Sequence, residues 1–339
     1  MLPQGGDFPA ASMSALPAID GVDLERLGAW MDAQGLPRGA IQRAEPLAGG
    51  SQNILLRIER GGAAYVLRRP PLHKRPNSDE TMRREARVLA ALAGSAVPHP
   101  GLIAACPDES LLGGAFYLME PVDGFGIHAG LPEPHRRDAA LRHRMGLAMA
   151  EGIAELGAVD WRAAGLGDFG RVEGYPGHGI PEAERVAAWL EAERPAQWTP
   201  GILHGDYHMA NVMFSNTSGE LAAIIDWELC TIGDPLLDLG WLLATWADPD
   251  GGAAMVGVQP WEGFATRDEL VAAYEAASGR SVAALAPWYT VLACYKLGIL
   301  LEGTYARACA GKAPKQIGEL LHRQTLALFE RAIERIDAP

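Results

Sequence analysis

The sequence predicts a two-lobed α+β protein, a small antiparallel sheet followed by a larger helical region, on three observations. Between residues 41 and 119, short strand-like runs are punctuated by glycine pairs and interrupted by one helix. Beyond about residue 131, apolar residues recur at helical spacing over most of the chain. Within that helical part lies one polar-rich interruption, residues 203–240, which read LHGDYHMANVMFSNTSGELAAIIDWELCTIGDPLLDLG.

Residues 1–18, rich in Pro, Gly, Ser and Ala, read as a mobile tail. Val22 to Gln34 places Val22, Leu24, Leu27, Trp30 and Met31 at helical spacing and stops near Gly35 and Pro37. Ile41 to Ala44, Gln52 to Ile58 and Ala64 to Arg68 then read as strands, separated by Gly49-Gly50-Ser51 and by Gly61-Gly62. Ser78 to Leu92 is expected to be helical, with Ser78 or Asp79 as its N-cap. Strands near Leu102 to Cys106 and Ala115 to Met119 complete a five-stranded antiparallel sheet. Pro121-Val122-Asp123-Gly124 reads as a connection, which gives a smaller lobe over 19–120 and a larger one over 121–339. Helices are expected over 137–156, 182–193, 235–246, 267–277, 287–308 and 315–335.

At 339 residues, with 48% hydrophobic and 21% charged content, the chain is long enough for two real cores. A net charge of −13 argues against nucleic acid or an anionic membrane surface as the main partner, since both need a basic footprint. The start of the chain lacks a basic region followed by an apolar core, and no stretch of about 18 uncharged apolar residues occurs. Cys106, Cys230, Cys294 and Cys309 form no CxxC pair, so the sequence suggests neither a disulfide framework nor a zinc site and fits a cytoplasmic protein.

The 203–240 segment carries the chemistry. Asp206 and Asn211 stand five positions apart, a spacing that lets one loop point a carboxylate at a hydroxyl while an amide oxygen reaches a metal. Leu221-Ala222-Ala223-Ile224-Ile225 is too short and too apolar at its end for a surface helix and suits a buried strand, with Asp226 at its end. A hard oxygen ligand held there could bridge Mg²⁺ to nucleotide phosphates. A capping role would account for any one aspartate in a turn. It does not account for three such groups in this order with a strand between them.

This segment resembles the catalytic and metal-binding loops of the aminoglycoside phosphotransferase and choline kinase-like family, relatives of the protein kinases. The order of five strands, one helix and a helical lobe is similar to that bilobal kinase-like fold over nearly the whole chain. The resemblance implies an ATP-dependent, Mg²⁺-requiring phosphotransferase acting on a small-molecule alcohol. It implies Asp206 as catalytic base and Asn211 and Asp226 as metal ligands. Gly49, Gly50, Ser51, Gln52 and Asn53 occupy the place of the phosphate-covering turn, where small residues let backbone N–H groups approach phosphate oxygens. Glycine pairs also serve plain hairpins. Arg68 stands where the family pattern has lysine, and would grip phosphates as a planar fork. Its expected carboxylate partner is Glu85, with Glu80 as the alternative. Phe116 to Pro121 resembles the strand that becomes the hinge beneath the adenine, which places Glu120 at the base.

Three further features have two readings each. Asp168-Phe169-Gly170 spells the metal-binding tripeptide of protein kinases, but it precedes Asp206, so a loop without a catalytic role is expected. His204, Asp206 and His208 alternate as in metal hydrolases, but after His208 the only histidine is His322, so His204 is expected to orient the loop and His208 to contact substrate. Lys296 and Arg307 fall on one face of an expected helix, either meeting an anionic substrate or snorkelling from a core helix. That run and residues 65–71 resemble kinase-like domains joined to acyl-CoA dehydrogenases, which implies a hydroxyacyl-CoA or similar metabolite as acceptor. The alternatives are an aminoglycoside or amino-alcohol acceptor, or a nucleotide-binding module without turnover.

Overall fold

The computed structural model of the protein describes residues 19, 21–47, 53–170, 181–247 and 257–337. The expected tail and residues 49–52 of the expected phosphate-covering turn lie outside them. The chain divides into two compact units, residues 1–83 with 103–121 and residues 84–102 with 122–339.

The first unit contains the sheet. Helix α1 (Leu24–Ala33) begins at Asp23, whose carboxylate accepts hydrogen bonds from the N–H groups of Glu25 and Arg26. Strands β1 (Ile41–Pro46), β2 (Ile54–Arg60) and β3 (Ala63–Arg69) follow, then helix α2 (Ser78–Leu92), β4 (Leu102–Cys106) and β5 (Phe116–Met119). The five strands pair in the order β1-β2-β3-β5-β4. Gly61 and Gly62 turn β2 into β3 with φ of 60° and 78°, a two-residue hairpin that needs positive φ at both positions. The register sets Arg68 opposite Leu55 on β2 and Tyr117 on β5. Leu27 and Met31 of α1 pack with Leu56, Ile58, Leu67 and Leu118 into one core.

The second unit is helical around two short ribbons. Its helices are α3 (Glu133–Arg137), α4 (Ala139–Gly157), α5 (Pro181–Ala192), α6 (Leu236–Thr245), α7 (Arg267–Ser278), α8 (Ala286–Cys309) and α9 (Lys315–Asp337). The ribbons pair β6 (Gly201–Leu203) with β9 (Thr231–Gly233) and β7 (Val212–Phe214) with β8 (Leu221–Ile224). Every residue of α6 is buried, so this helix is the centre of the unit's core. α8 crosses it closely at Gly240, where a Cβ would lie 2.3 Å from the carbonyl oxygen of Tyr289. Among the described residues no helix is long and apolar enough to cross a membrane.

Candidate active site

β6 delivers the chain to His204 and Gly205. Their backbone N–H groups donate to the two carboxylate oxygens of Asp238, at 2.6 and 2.9 Å. Asp238 is fully buried on α6, and burial pushes its carboxyl up while His204 and these two N–H groups pull the other way. Gly205 has φ of 87°, and a Cβ there would meet the Leu229 carbonyl oxygen at 2.4 Å, so only glycine fits this bend. His204 is buried; its Nε2–H donates to the Ile225 carbonyl at 2.8 Å, which leaves Nδ1 to accept the N–H of Asp206 at 3.3 Å. Tyr207 is buried with its hydroxyl donating to the Met149 carbonyl of α4 at 3.0 Å. The backbone around Asp206 is therefore tied by the Asp238 carboxylate, the His204 ring and the Tyr207 hydroxyl.

Asp206 keeps its carboxylate partly open, with 27% of the side chain exposed. His208 accepts the N–H of Ala210 at Nδ1, so its Nε2–H faces Asp206 Oδ1 at 3.4 Å. The Asn211 amide nitrogen donates to Asp206 Oδ2 at 3.0 Å and to the Asp206 carbonyl at 2.9 Å. Burial raises the carboxyl's pKa, but His208, His204 and Asn211 together outweigh it and hold Asp206 below the ordinary carboxylate range. A carboxylate kept ionised and oriented in this way can accept a proton from a positioned hydroxyl. With its nitrogen engaged, Asn211 has its amide oxygen left for a cation.

The Asn211 carbonyl accepts the N–H of Ile225 at 2.9 Å, which joins the loop to the chain just before Asp226. Asp226 has φ of 65° and ψ of 63°, a left-handed conformation unusual for a residue other than glycine. It opens a single 3₁₀ turn, Trp227–Leu229, and that turn brings Glu228 to its side. Oxygens of Glu85, Asp226 and Glu228 all lie within 4.8 Å of one another. Three close carboxylates repel unless protons or a cation intervene, and an all-oxygen set suits a hard ion such as Mg²⁺. The sequence reading missed Glu228; its signal was the second acid two positions after Asp226.

The Asp168-Phe169-Gly170 tripeptide anchors α2. Phe169 is buried beneath the Arg84 guanidinium, 3.9 Å from the ring centre, and Asp168 pairs with Arg87. Arg84 also donates to the carbonyls of Phe169 and Cys230, each at 3.2 Å. Glu85 stands between these two arginines in sequence and is itself 1% exposed.

Other expected site residues are placed as follows. Arg68 is buried on β3, Asn53 is half-buried before β2, and Glu120 is exposed one residue beyond β5. Lys296, half-buried on α8, lines a cavity of about 540 Å³. Arg307 is exposed in the last turn of α8, eleven residues on and so about 16 Å further along the helix.

The family model described as "Phosphotransferase enzyme family" matches residues 43–288. Acyl-CoA dehydrogenase family member 10 of Mus musculus is 28% identical over 307 residues, covering 84% of this chain and 28% of its own length. Acyl-CoA dehydrogenase family member 11 of Gallus gallus is 28% identical over 323 residues, covering 88% and 41%. The chain thus spans well under half the length of these relatives. A solved structure from Ralstonia eutropha, named for the aminoglycoside phosphotransferases, shares 28% identity at a TM-score of 0.75, covering 92% of this chain and 98% of its own. An ethanolamine kinase from Plasmodium vivax, 11% identical with a TM-score of 0.51 over 86% of this chain and 81% of its own, shares the fold alone. With its kinase-like α+β fold and a family match over most of its length, the chain belongs to the phosphotransferase enzyme family.

Proposed function

We propose that the protein transfers the γ-phosphate of ATP to a hydroxyl of a small metabolite in a Mg²⁺-dependent reaction, with a hydroxyacyl-CoA or related hydroxy acid derivative as acceptor. The observation that carries the reading is the Asp206 carboxylate, held ionised by His208 and Asn211 on a loop fixed from behind by Asp238. In this reading Asp206 orients the acceptor hydroxyl and takes its proton. Asn211 and Asp226, with Glu228 beside them, would hold Mg²⁺, which when bound neutralises charge on the transferring group. The 49–53 turn and Arg68 would steady the phosphates, Glu85 would orient Arg68, and Glu120 would stand by the base. The smaller lobe, 19–120, would then serve the nucleotide, and the larger, 121–339, catalysis and the acceptor, with His208, Lys296 and Arg307 as acceptor contacts.

The names of the relatives support an acyl-CoA-linked acceptor. A cationic acceptor fits less well, because it would meet the Lys296 ammonium. The test is ADP release across a panel of hydroxyacyl-CoAs, amino alcohols and aminoglycosides, with the phosphorylated product identified by mass. Turnover of a hydroxyacyl-CoA alone is the expected result. Turnover confined to an aminoglycoside would overturn the acceptor, and ATP binding without turnover of any hydroxylated compound would favour the inactive module.

A further inference from the structure

We infer that the cavity walled by α5, β9 and α8 is a binding site for an apolar monocarboxylate, anchored by Lys296. Its volume, about 540 Å³, lies within the range of small-molecule sites, on the order of 300–1,000 Å³. The walls are largely apolar, with Leu190, Ile232, Leu237, Leu292, Trp288 and Tyr289 among them. Flat rings beside aliphatic side chains favour a ligand with an apolar, preferably planar body.

The charged groups of the wall identify the ligand's other end. Arg194 is paired with Glu191 at 2.5 Å. Asp234 accepts the Tyr289 hydroxyl at 2.8 Å and the N–H of Leu236 at 3.0 Å, and faces Arg280 at 3.6 Å. Lys296 differs from all of these: among the described residues its ammonium makes no hydrogen bond or ion pair. The acid that acts on it, Asp238, already has one oxygen on the N–H of His204 and the other on that of Gly205. Burial lowers the affinity of Lys296 for its proton, and Asp238 offsets this only in part. A carboxylate entering the cavity would supply the missing acceptor. One ammonium suits one carboxylate; at the nearby start of α6 the N–H of Leu236 is already taken by the Asp234 carboxylate, and Arg194 by Glu191.

If the occupant is the phosphate acceptor, that acceptor is the free hydroxy acid and not its CoA thioester; any other occupant is a separate effector, since Lys296 acts on Asp238 and Asp238 holds the catalytic loop. Only this distinction rests on the phosphotransferase reading. The probe is 2-naphthoate, with naphthalene-2-methanol as its uncharged control, titrated calorimetrically without nucleotide. Saturable binding at one equivalent is expected. Lys296→Met should weaken naphthoate binding by roughly tenfold or more, as for a lost hydrogen bond to a charged group, and leave the alcohol unchanged. Leu292→Trp, which fills the cavity and keeps the lysine, should abolish binding of both, and it serves as the test if Lys296→Met does not fold. In turnover assays, competition of naphthoate with the acceptor would identify the acceptor's own site, and a change in kcat without competition would identify an effector site. No saturable binding up to millimolar concentration, or equal affinity in wild type and both variants, would overturn the proposal. If naphthoate binds as described but no hydroxylated compound is phosphorylated, the functional reading fails and the carboxylate site stands.

Discussion

Two parts of the helical unit follow opposite rules. Around Asp206 the polar groups are matched, from Asp238 on the loop backbone to His208 and Asn211 on the carboxylate itself. Around Lys296 the walls are largely apolar, and the ammonium lines its cavity without a hydrogen bond among the described residues. In the proposed reaction the first arrangement would present one carboxylate in one geometry whatever the acceptor, which is what transition-state stabilisation requires. The second leaves recognition to whatever enters. Substitutions in the loop should therefore lower kcat for every acceptor, and, where the cavity holds the acceptor, substitutions there should raise KM for the acceptor alone.

The largest effect that would sharpen this contrast is expected at Asp226. Asp226→Ala should abolish phosphoryl transfer, as should chelation of Mg²⁺, while the variant's melting temperature stays near that of the wild type. Near-normal turnover would remove Asp226 from the metal site. Gly205→Ala comes next. A side chain at φ of 87° against the Leu229 carbonyl should cost about 2 kcal/mol or more of stability, read by denaturant unfolding, because neither backbone segment can give way cheaply. A neutral outcome would show that the loop is not held as tightly as described.

Smaller effects are expected outside the loop. If the cavity holds the acceptor, Lys296→Ala should raise the acceptor KM about tenfold, with the ATP KM and kcat nearly unchanged. Equal changes in both KM values would erase the distinction between the two regions. The smallest effect belongs to Arg144 of α4, whose guanidinium forks onto Glu151 and Glu220. The hydrogen bond from Arg144 holds the Glu220 carboxyl below its ordinary value, so the stability it provides is present above the usual glutamate range and is lost as pH falls through the lowered pKa. Glu220 is more than half exposed, so Glu220→Gln should cost less than about 1 kcal/mol at neutral pH and nothing at a pH where both states are protonated.

Much of this was legible in the sequence because it is local. α2 and β4 begin and end at the expected residues, and the other expected elements differ by a few residues at their ends. Glycine pairs and apolar spacing act over a few residues, and so does the step from Asp206 to Asn211. The β6–β9 ribbon escaped notice because three-residue strands carry no periodicity and owe their existence to pairing across about thirty residues. Glu228 escaped for a related reason. Its place beside Glu85 depends on a left-handed Asp226 and on α2 being anchored by Phe169, and no spacing encodes either. Lys296 and Arg307 looked alike on a helical wheel, but one lines a cavity and the other is exposed at the helix end.

The central claim, that Asp206 acts as the base in phosphoryl transfer to a hydroxyl, is tested most directly by following label from γ-labelled ATP into the acceptor with wild type and with Asp206→Asn. Asparagine keeps the shape and one acceptor oxygen but cannot take the proton. The variant should bind ATP as the wild type does and transfer label roughly 10²–10⁴-fold more slowly. Transfer at the wild-type rate would contradict the assignment. So would loss of ATP binding in step with the rate, which would make Asp206 a ligand of the nucleotide's metal and not the base.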